Sequence, residues 1–330
     1  MTEAVMRKAT VADLERIQEI AVAAWTSIYE HRRKNVVGDE IFADLWDGWR
    51  ANQRVRKEDV GARVIVTELA GRIVGFATWR LLNPKAGEIT ANAIDPAFQG
   101  RGLGTRQIRE VLGVLKAQGC ECANVFTGLD PAHGPARGQY YNLGFTLSIT
   151  TSVYMNSVSA VPPIPRRAGL ELVPATAQHA AALADIIESV WQPVFIENDR
   201  RTNGLFRVCY PDAMAKKKEA VIGRLNGGAH GLLLAADGGR PVGLCLFDLA
   251  ANKSYGTIGA LGVRPEARHR GAATALVVEA ARRLRERGMR YVWLQAGPGE
   301  NSEATRGLCH KLGLHREIPS VWLFGRITTP

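Results

Sequence analysis

The 330-residue chain has five cysteines and none of the spacings that make cysteine a structural staple. Cys120, Cys122, Cys209, Cys245 and Cys309 are odd in number, and the close pair Cys120 and Cys122 lacks the two-residue gap of zinc and redox motifs. They read as reduced thiols, and no metal site is expected. Long apolar runs are also missing: no segment approaches the roughly 18 to 20 uninterrupted apolar residues that a bilayer span needs, so no membrane partner is expected. The opening stretch, MTEAVMRKATVADLERIQEI, sets acids among its apolar residues and has no signal-peptide core, which predicts a cytoplasmic protein. Composition excludes disorder and collagen-like repeats, at 46% hydrophobic and 22% charged residues.

What is present is length and positive charge. A chain of this size accommodates two domains of roughly 150 residues, each with its own core. The formal charge is +10, and it is uneven: residues 1–160 hold 19 Lys and Arg against 17 Asp and Glu, and the remainder holds 23 against 15. A basic second half favours anionic ligands. The clusters at Lys216-Lys217-Lys218 and Arg282-Arg283 read as solvated faces.

The chain also repeats once. IDPAFQGRGLGT at 94–105 and VRPEARHRGAAT at 263–274 align at a spacing of 169, matching Pro96 with Pro265, Arg101 with Arg270, Gly102 with Gly271 and Thr105 with Thr274. The same spacing aligns NLGF at 142–145 with KLGL at 311–314, and GRIVGFA at Gly71 matches GRPVGLC at Gly239 at a spacing of 168. Between the copies lies NSVSAVPPIPRRAG, whose three prolines suit an extended linker. The reading is therefore two domains, 1–160 and 170–330, joined by 161–169.

Each copy shows the same order of signals. A short strand (4–7; 170–173) precedes a helix opened by Thr10 or Thr176, then a polar stretch. Three strands follow (64–69, 73–81 and 88–94; 232–236, 242–248 and 257–263), then a glycine turn and a long helix (103–117; 273–287). A further strand (123–127; 291–295), a short helix ending in Leu-Gly and a last strand complete each copy. Meandering strands followed by a strand-turn-helix unit describe an α+β domain.

The chemistry concentrates in the glycine turn. A strand that passes through glycines into a helix presents several unpaired backbone N–H groups to an anion. A Walker loop would need a Gly-Lys-Ser/Thr ending, which Gly104-Thr105-Arg106 lacks. A dinucleotide fingerprint would need a third glycine where Thr105 stands. Both copies instead resemble the Gln/Arg-x-x-Gly-x-Gly/Ala turn of the GNAT superfamily of CoA-dependent N-acyltransferases, as Gln99-x-x-Gly102-x-Gly104 and Arg268-x-x-Gly271-x-Ala273.

That resemblance implies, in each domain, a mostly antiparallel mixed sheet flanked by helices, with a splayed strand pair that holds CoA. It implies that acetyl-CoA binds through its pyrophosphate to Gln99, Gly100, Arg101, Gly102, Leu103, Gly104 and Thr105, and to Arg268, His269, Arg270, Gly271, Ala272, Ala273 and Thr274. The backbone at Ile94 and Val263 would pair with the pantetheine arm. An acceptor amine would attack the thioester directly, with the tyrosine four residues before the Leu-Gly glycine, Tyr140, as general acid and Glu88 as base. Trp25 and Tyr29 fall where the family builds its acceptor pocket. In the second copy Cys309 and Thr257 stand at the places of Tyr140 and Glu88, which marks that copy as degenerate or cofactor-binding only.

The leading expectation is an acetyl-CoA-dependent N-acetyltransferase acting on a small-molecule amine or peptide acceptor, as a monomer or homodimer, with a nucleic-acid partner disfavoured. The alternatives are a non-catalytic acyl-CoA-binding or sensing protein and a mycothiol-synthase-like enzyme active in its C-terminal domain.

Overall fold

The computed structural model describes residues 3–52, 55–227, 231–249, 254–297 and 300–327. The first copy runs β1 (Val5–Lys8), α1 (Leu14–Arg32), α2 (Gly38–Asn52), β2 (Val64–Leu69), β3 (Arg72–Asn83), β4 (Ala86–Ile94), α3 (Leu103–Ala117), β5 (Cys122–Gly128), α4 (Gly134–Asn142) and β6 (Leu147–Ser157). The second runs β7 (Leu170–Pro174), α5 (Ala180–Arg201), α6 (Leu205–Cys209), α7 (Ala213–Ile222), β8 (Leu232–Asp237), β9 (Arg240–Leu249), β10 (Tyr255–Val263), α8 (Ala272–Glu286), β11 (Tyr291–Ala296), α9 (Glu300–Lys311) and β12 (Arg316–Arg326). The strands at 64–69 and the helix at 103–117 fall where the hydrophobic pattern puts them. The other predicted strands and long helices shift by no more than two residues at an end. The polar stretches carry α2 in the first copy and α6 and α7 in the second.

Local chemistry explains the starts of these elements. Asp13 accepts from the backbone N–H of Thr10 at 2.6 Å and from its hydroxyl at 3.0 Å, a capping box that opens the turn leading into α1. Arg7 grips the same carboxylate at 2.8 Å. On α3 the helical spacing of Ile108, Val111 and Leu115 makes one buried stripe. Burying each such side chain is worth about 1.5–3 kcal/mol.

Two compact units form, and they cut across the sequence copies. Unit 1 comprises Met1–Thr150, Arg201–Pro211 and Pro319–Pro330; unit 2 comprises Thr151–Arg200 and Asp212–Ile318. In unit 1 the strand order is β1-β2-β3-β4-β5-β12, antiparallel except for the β4–β5 pair. In unit 2 it is β7-β8-β9-β10-β11-β6, antiparallel except for β10–β11. The last strand of each copy thus completes the sheet of the other unit. Ser320–Arg326 pairs with Cys122–Gly128, and Ser152–Ser157 pairs with Tyr291–Ala296. The helix α6 likewise lies in unit 1, where Leu205 and Cys209 pack with Ala86, Cys122 and Phe324.

Candidate active site

Strand β4 organises unit 1. Its parallel ladder with β5 runs from Ala86–Cys122 to Ile89–Val125 and stops, while β4 continues to Ile94 and β5 to Gly128. Where the ladder stops, β4 carries a bulge against β3: Trp79 pairs with Ile89 and Thr78 with Ala91, leaving Thr90 as the extra residue. The bulge reverses the alternation of faces. Before it, Gly87 and Ile89 face α3, and a Cβ at Gly87 would meet Leu115 at 2.5 Å, so Glu88 points to the opposite face. After it, Ala93 packs with α1 through Ile17 and Ile20, and Asn92 turns to the α3 side.

There Asn92 joins a chain of polar side chains with little access to water. The Thr67 hydroxyl donates to Gln107 Oε1 at 2.5 Å. Gln107 Nε2 donates to Asn92 Oδ1 at 2.7 Å and to the Phe76 carbonyl at 3.1 Å. Asn92, its oxygen so occupied, hydrogen-bonds the Tyr140 hydroxyl. Tyr140 is buried in α4, edge-on to Phe145 with ring centroids 6.0 Å apart. Burial pushes its phenol well above the ordinary 10, and the Asn92 bond offsets part of that. The phenol is therefore neutral near neutral pH.

Glu88 sits on the other face. Arg80, directly across on β3, donates from Nε at 2.6 Å, and Tyr210, the residue after α6, covers the same face and accepts from Asn124 Nδ2 at 2.9 Å. Burial pushes the Glu88 carboxyl up, against the pull of Arg80. Tyr140 and Glu88 are not brought into contact; they stand on opposite faces of one strand. Trp25 and Tyr29 line a pocket of about 400 Å³ together with Leu14, Gln18, Trp46 and Val55. Tyr29 is buried and edge-on to Trp46 at 4.9 Å, and Trp25 meets Phe76 at 6.1 Å.

The glycine turn joins β4 to α3. Gln99 Nε2 donates to the Ile94 carbonyl at 3.0 Å and so closes the turn, and Arg268 Nε does the same to Val263 at 3.3 Å in unit 2. Gly100 and Gly102 have φ of 75° and 73°, a left-handed conformation that side chains disfavour, and a Cβ at either would meet nothing within 4 Å. Gly102 is the N-cap of α3 and offers no side chain to cap it. The first intrahelical bond runs from Arg106 to Gly102, so the N–H groups of Leu103, Gly104 and Thr105 have no helical partner. This open cradle fits a phosphate. Unit 2 repeats it with Gly271 as N-cap at φ 85°, but His269 holds the left-handed position that Gly100 holds in unit 1, at φ 60°.

Sequence reasoning missed Asn92, Gln107 and Thr67, and the cover supplied by α6. His133, in the turn before α4, sets its ring Nδ1 2.8 Å from both oxygens of the buried Asp130. Among the described residues no cluster of His, Cys, Asp and Glu has the makings of a metal site, and no helix is long and apolar enough to cross a membrane.

The sequence profile of the Acetyltransferase (GNAT) family matches residues 14–145 and again residues 192–314. The chain belongs to this family. Its two GNAT domains are tandem, and the family's activity is CoA-dependent acyl transfer. Solved structures share the fold at low identity. A GCN5-related N-acetyltransferase from Sphaerobacter thermophilus superposes with TM-score 0.66 at 19% identity, over 99% of this chain and 96% of that one. A tandem GNAT protein from the clavulanic acid biosynthesis pathway superposes with TM-score 0.59 at 14% identity, over the whole of both chains. Among curated proteins no sequence matches this GNAT chain.

Proposed function

We propose that unit 1 is the catalytic GNAT domain and moves an acetyl group from acetyl-CoA to a primary amine by direct attack. The observation that carries this reading is the Thr67–Gln107–Asn92–Tyr140 chain, which ends on a phenol beside the strand that parts from its neighbour. Acetyl-CoA supplies the acyl group as an activated thioester. The turn from Gln99 to Thr105 holds the phosphates on its open backbone donors, with Arg101 and the α3 N-terminus adding positive potential. The β4 backbone up to Ile94, freed from β5, offers hydrogen bonds to the pantetheine arm.

Tyr140 then delivers its proton to the departing sulfur. The burial that penalises a phenolate also penalises a thiolate in the same place, so the proton moves as the bond breaks. Glu88, raised by burial, takes the acceptor's proton from the opposite face, and Trp25 and Tyr29 line the way in for an amine, whose cationic form suits aromatic faces. The second turn, Arg268 to Thr274 after Val263, holds a second CoA in unit 2.

The test is Tyr140→Phe, which removes one oxygen. CoA release with a panel of amines should fall on the order of 10²-fold, with acetyl-CoA affinity unchanged by calorimetry. Undiminished release would return Tyr140 to a packing role.

A further inference from the structure

Unit 2 carries a feature that the reading of unit 1 does not use. Lys217, on α7, places its Nζ 4.4 Å from the centre of the Trp191 ring and 3.5 Å from the Gly259 carbonyl. Gly259 is the bulge residue of β10: Phe247 pairs with Ile258 and Leu246 with Ala260. It follows the last rung of the β10–β11 ladder, Ile258–Leu294, beyond which β10 runs on to Val263. Gly259 thus stands in β10 where Thr90 stands in β4.

Trp191 has a counterpart as well. It lies fifteen residues after Thr176, as Trp25 lies fifteen after Thr10. In unit 1 that tryptophan lines the open 400 Å³ pocket read as the acceptor's entrance. In unit 2 the same ring is covered by a side-chain amine. The amine and the turn also belong to opposite faces of the sheet. Trp191 packs with Leu244 and Ala260, while α8, whose N-cap is Gly271, packs through Leu276 and Leu284 with Ala235 and Ile258.

We propose that Lys217 is a built-in acceptor amine, which takes an acetyl group from acetyl-CoA held at the Gly271 turn and makes unit 2 self-acetylating. This rests on the reading that the second turn binds acetyl-CoA. In the step, the Nζ lone pair forms a bond to the acetyl carbonyl carbon, the carbon–sulfur bond breaks with its electrons on sulfur, and the proton lost by nitrogen ends on that sulfur. The products are an N-acetyl-lysine and free CoA thiol, and no other reactant is consumed. Burial pushes the Lys217 amine down from the ordinary 10.5 to about 8, which supplies the neutral nucleophile. Its neighbours lack this setting: Lys216 is exposed, and Lys218 is held by Glu188 at 2.8 Å.

The experiment incubates the full chain with acetyl-CoA at about pH 8 and follows acetylation by peptide mass spectrometry, with Lys216 and Lys218 as internal references. Lys217 should be modified on the order of tenfold or more faster than Lys216, because only its amine is held at the β10 bulge against Trp191. The rate should be independent of protein concentration, suppressed by excess CoA and retained in Tyr140→Phe, and Lys217→Arg should leave only the slow background at Lys216 and Lys218. Calorimetry with Arg270→Glu reports the underlying reading separately. If acetyl-CoA binds at the second turn and Lys217 reacts no faster than Lys216, the proposal falls and the cofactor reading stands. If no binding is tied to that turn, both fall. Loss of modification in Tyr140→Phe would assign the chemistry to unit 1 and overturn the proposal.

Discussion

The two units share a fold and differ along one line of side chains. In unit 1, Thr67, Gln107, Asn92 and Tyr140 form a hydrogen-bonded chain; the matching positions in unit 2 are Ala235, Leu276, Leu261 and Cys309, which belong to or pack against one apolar core. Every polar member has an apolar or weakly polar counterpart. Such a chain has to be fully satisfied to be tolerated, and leucine at those positions makes no such demand. The carboxylate has also changed strand: the cross-strand pair Arg80–Glu88 corresponds to Asp248–Thr257, and Asp248 is held by Arg224 at 2.8 Å. The comparison teaches that fold, bulge and turn are the shared scaffold, and that the polar chain is present in one unit and absent from the other.

Writing the unit 2 residues into unit 1 should break the comparison most. The combination Thr67→Ala, Asn92→Leu, Gln107→Leu and Tyr140→Cys should remove at least about 10² in turnover, the share of a general acid. It should leave a cooperative melting transition, because unit 2 already packs that set. Loss of folding instead would make the chain structural. A smaller effect, about tenfold or more, is expected from Glu88→Gln, with the acidic limb of the rate profile removed. Because burial holds the Glu88 carboxyl above its ordinary 4.5, the folded state favours the protonated form, and that preference is lost as pH rises through the raised value. The glutamine variant should therefore melt at the same or a higher temperature near neutral pH. An unaltered rate profile would exclude Glu88 as the base. The smallest change belongs to Cys309→Ala: turnover should be unaffected, and stability should drop by about 1 kcal/mol for a small cavity at a fully buried site. A large loss of turnover would move the active site to unit 2.

Much of this was legible in the residues. Alternation and helical spacing located β2 and α3, and the repeated turn led to Gly102 and Gly271 because its glycines have a backbone reason to be there. Asn92 and Gln107 stayed hidden because each looks like an ordinary polar interruption of an apolar pattern. The face that Asn92 occupies depends on a one-residue bulge at Thr90 that no local propensity encodes. The repeat itself carried the missing signal: polar Asn92 and Gln107 align with Leu261 and Leu276. The exchanged last strands were illegible for a different reason. β6 and β12 match each other in pattern, so local sequence does not say which sheet each will join.

That exchange sets the order in which the molecule can be finished. The strand beside Cys122–Gly128 is Ser320–Arg326, so during synthesis a nascent chain with every residue of α1 through α4 already outside the ribosome still presents the bare edge of β5. Such an edge invites pairing with other chains. Unit 1 closes only after nearly all of unit 2 has been made, and contacts this distant in sequence form slowly. A gene cut at the proline linker would yield a first half with an open sheet, a liability for expression that the tidy repeat of the sequence conceals.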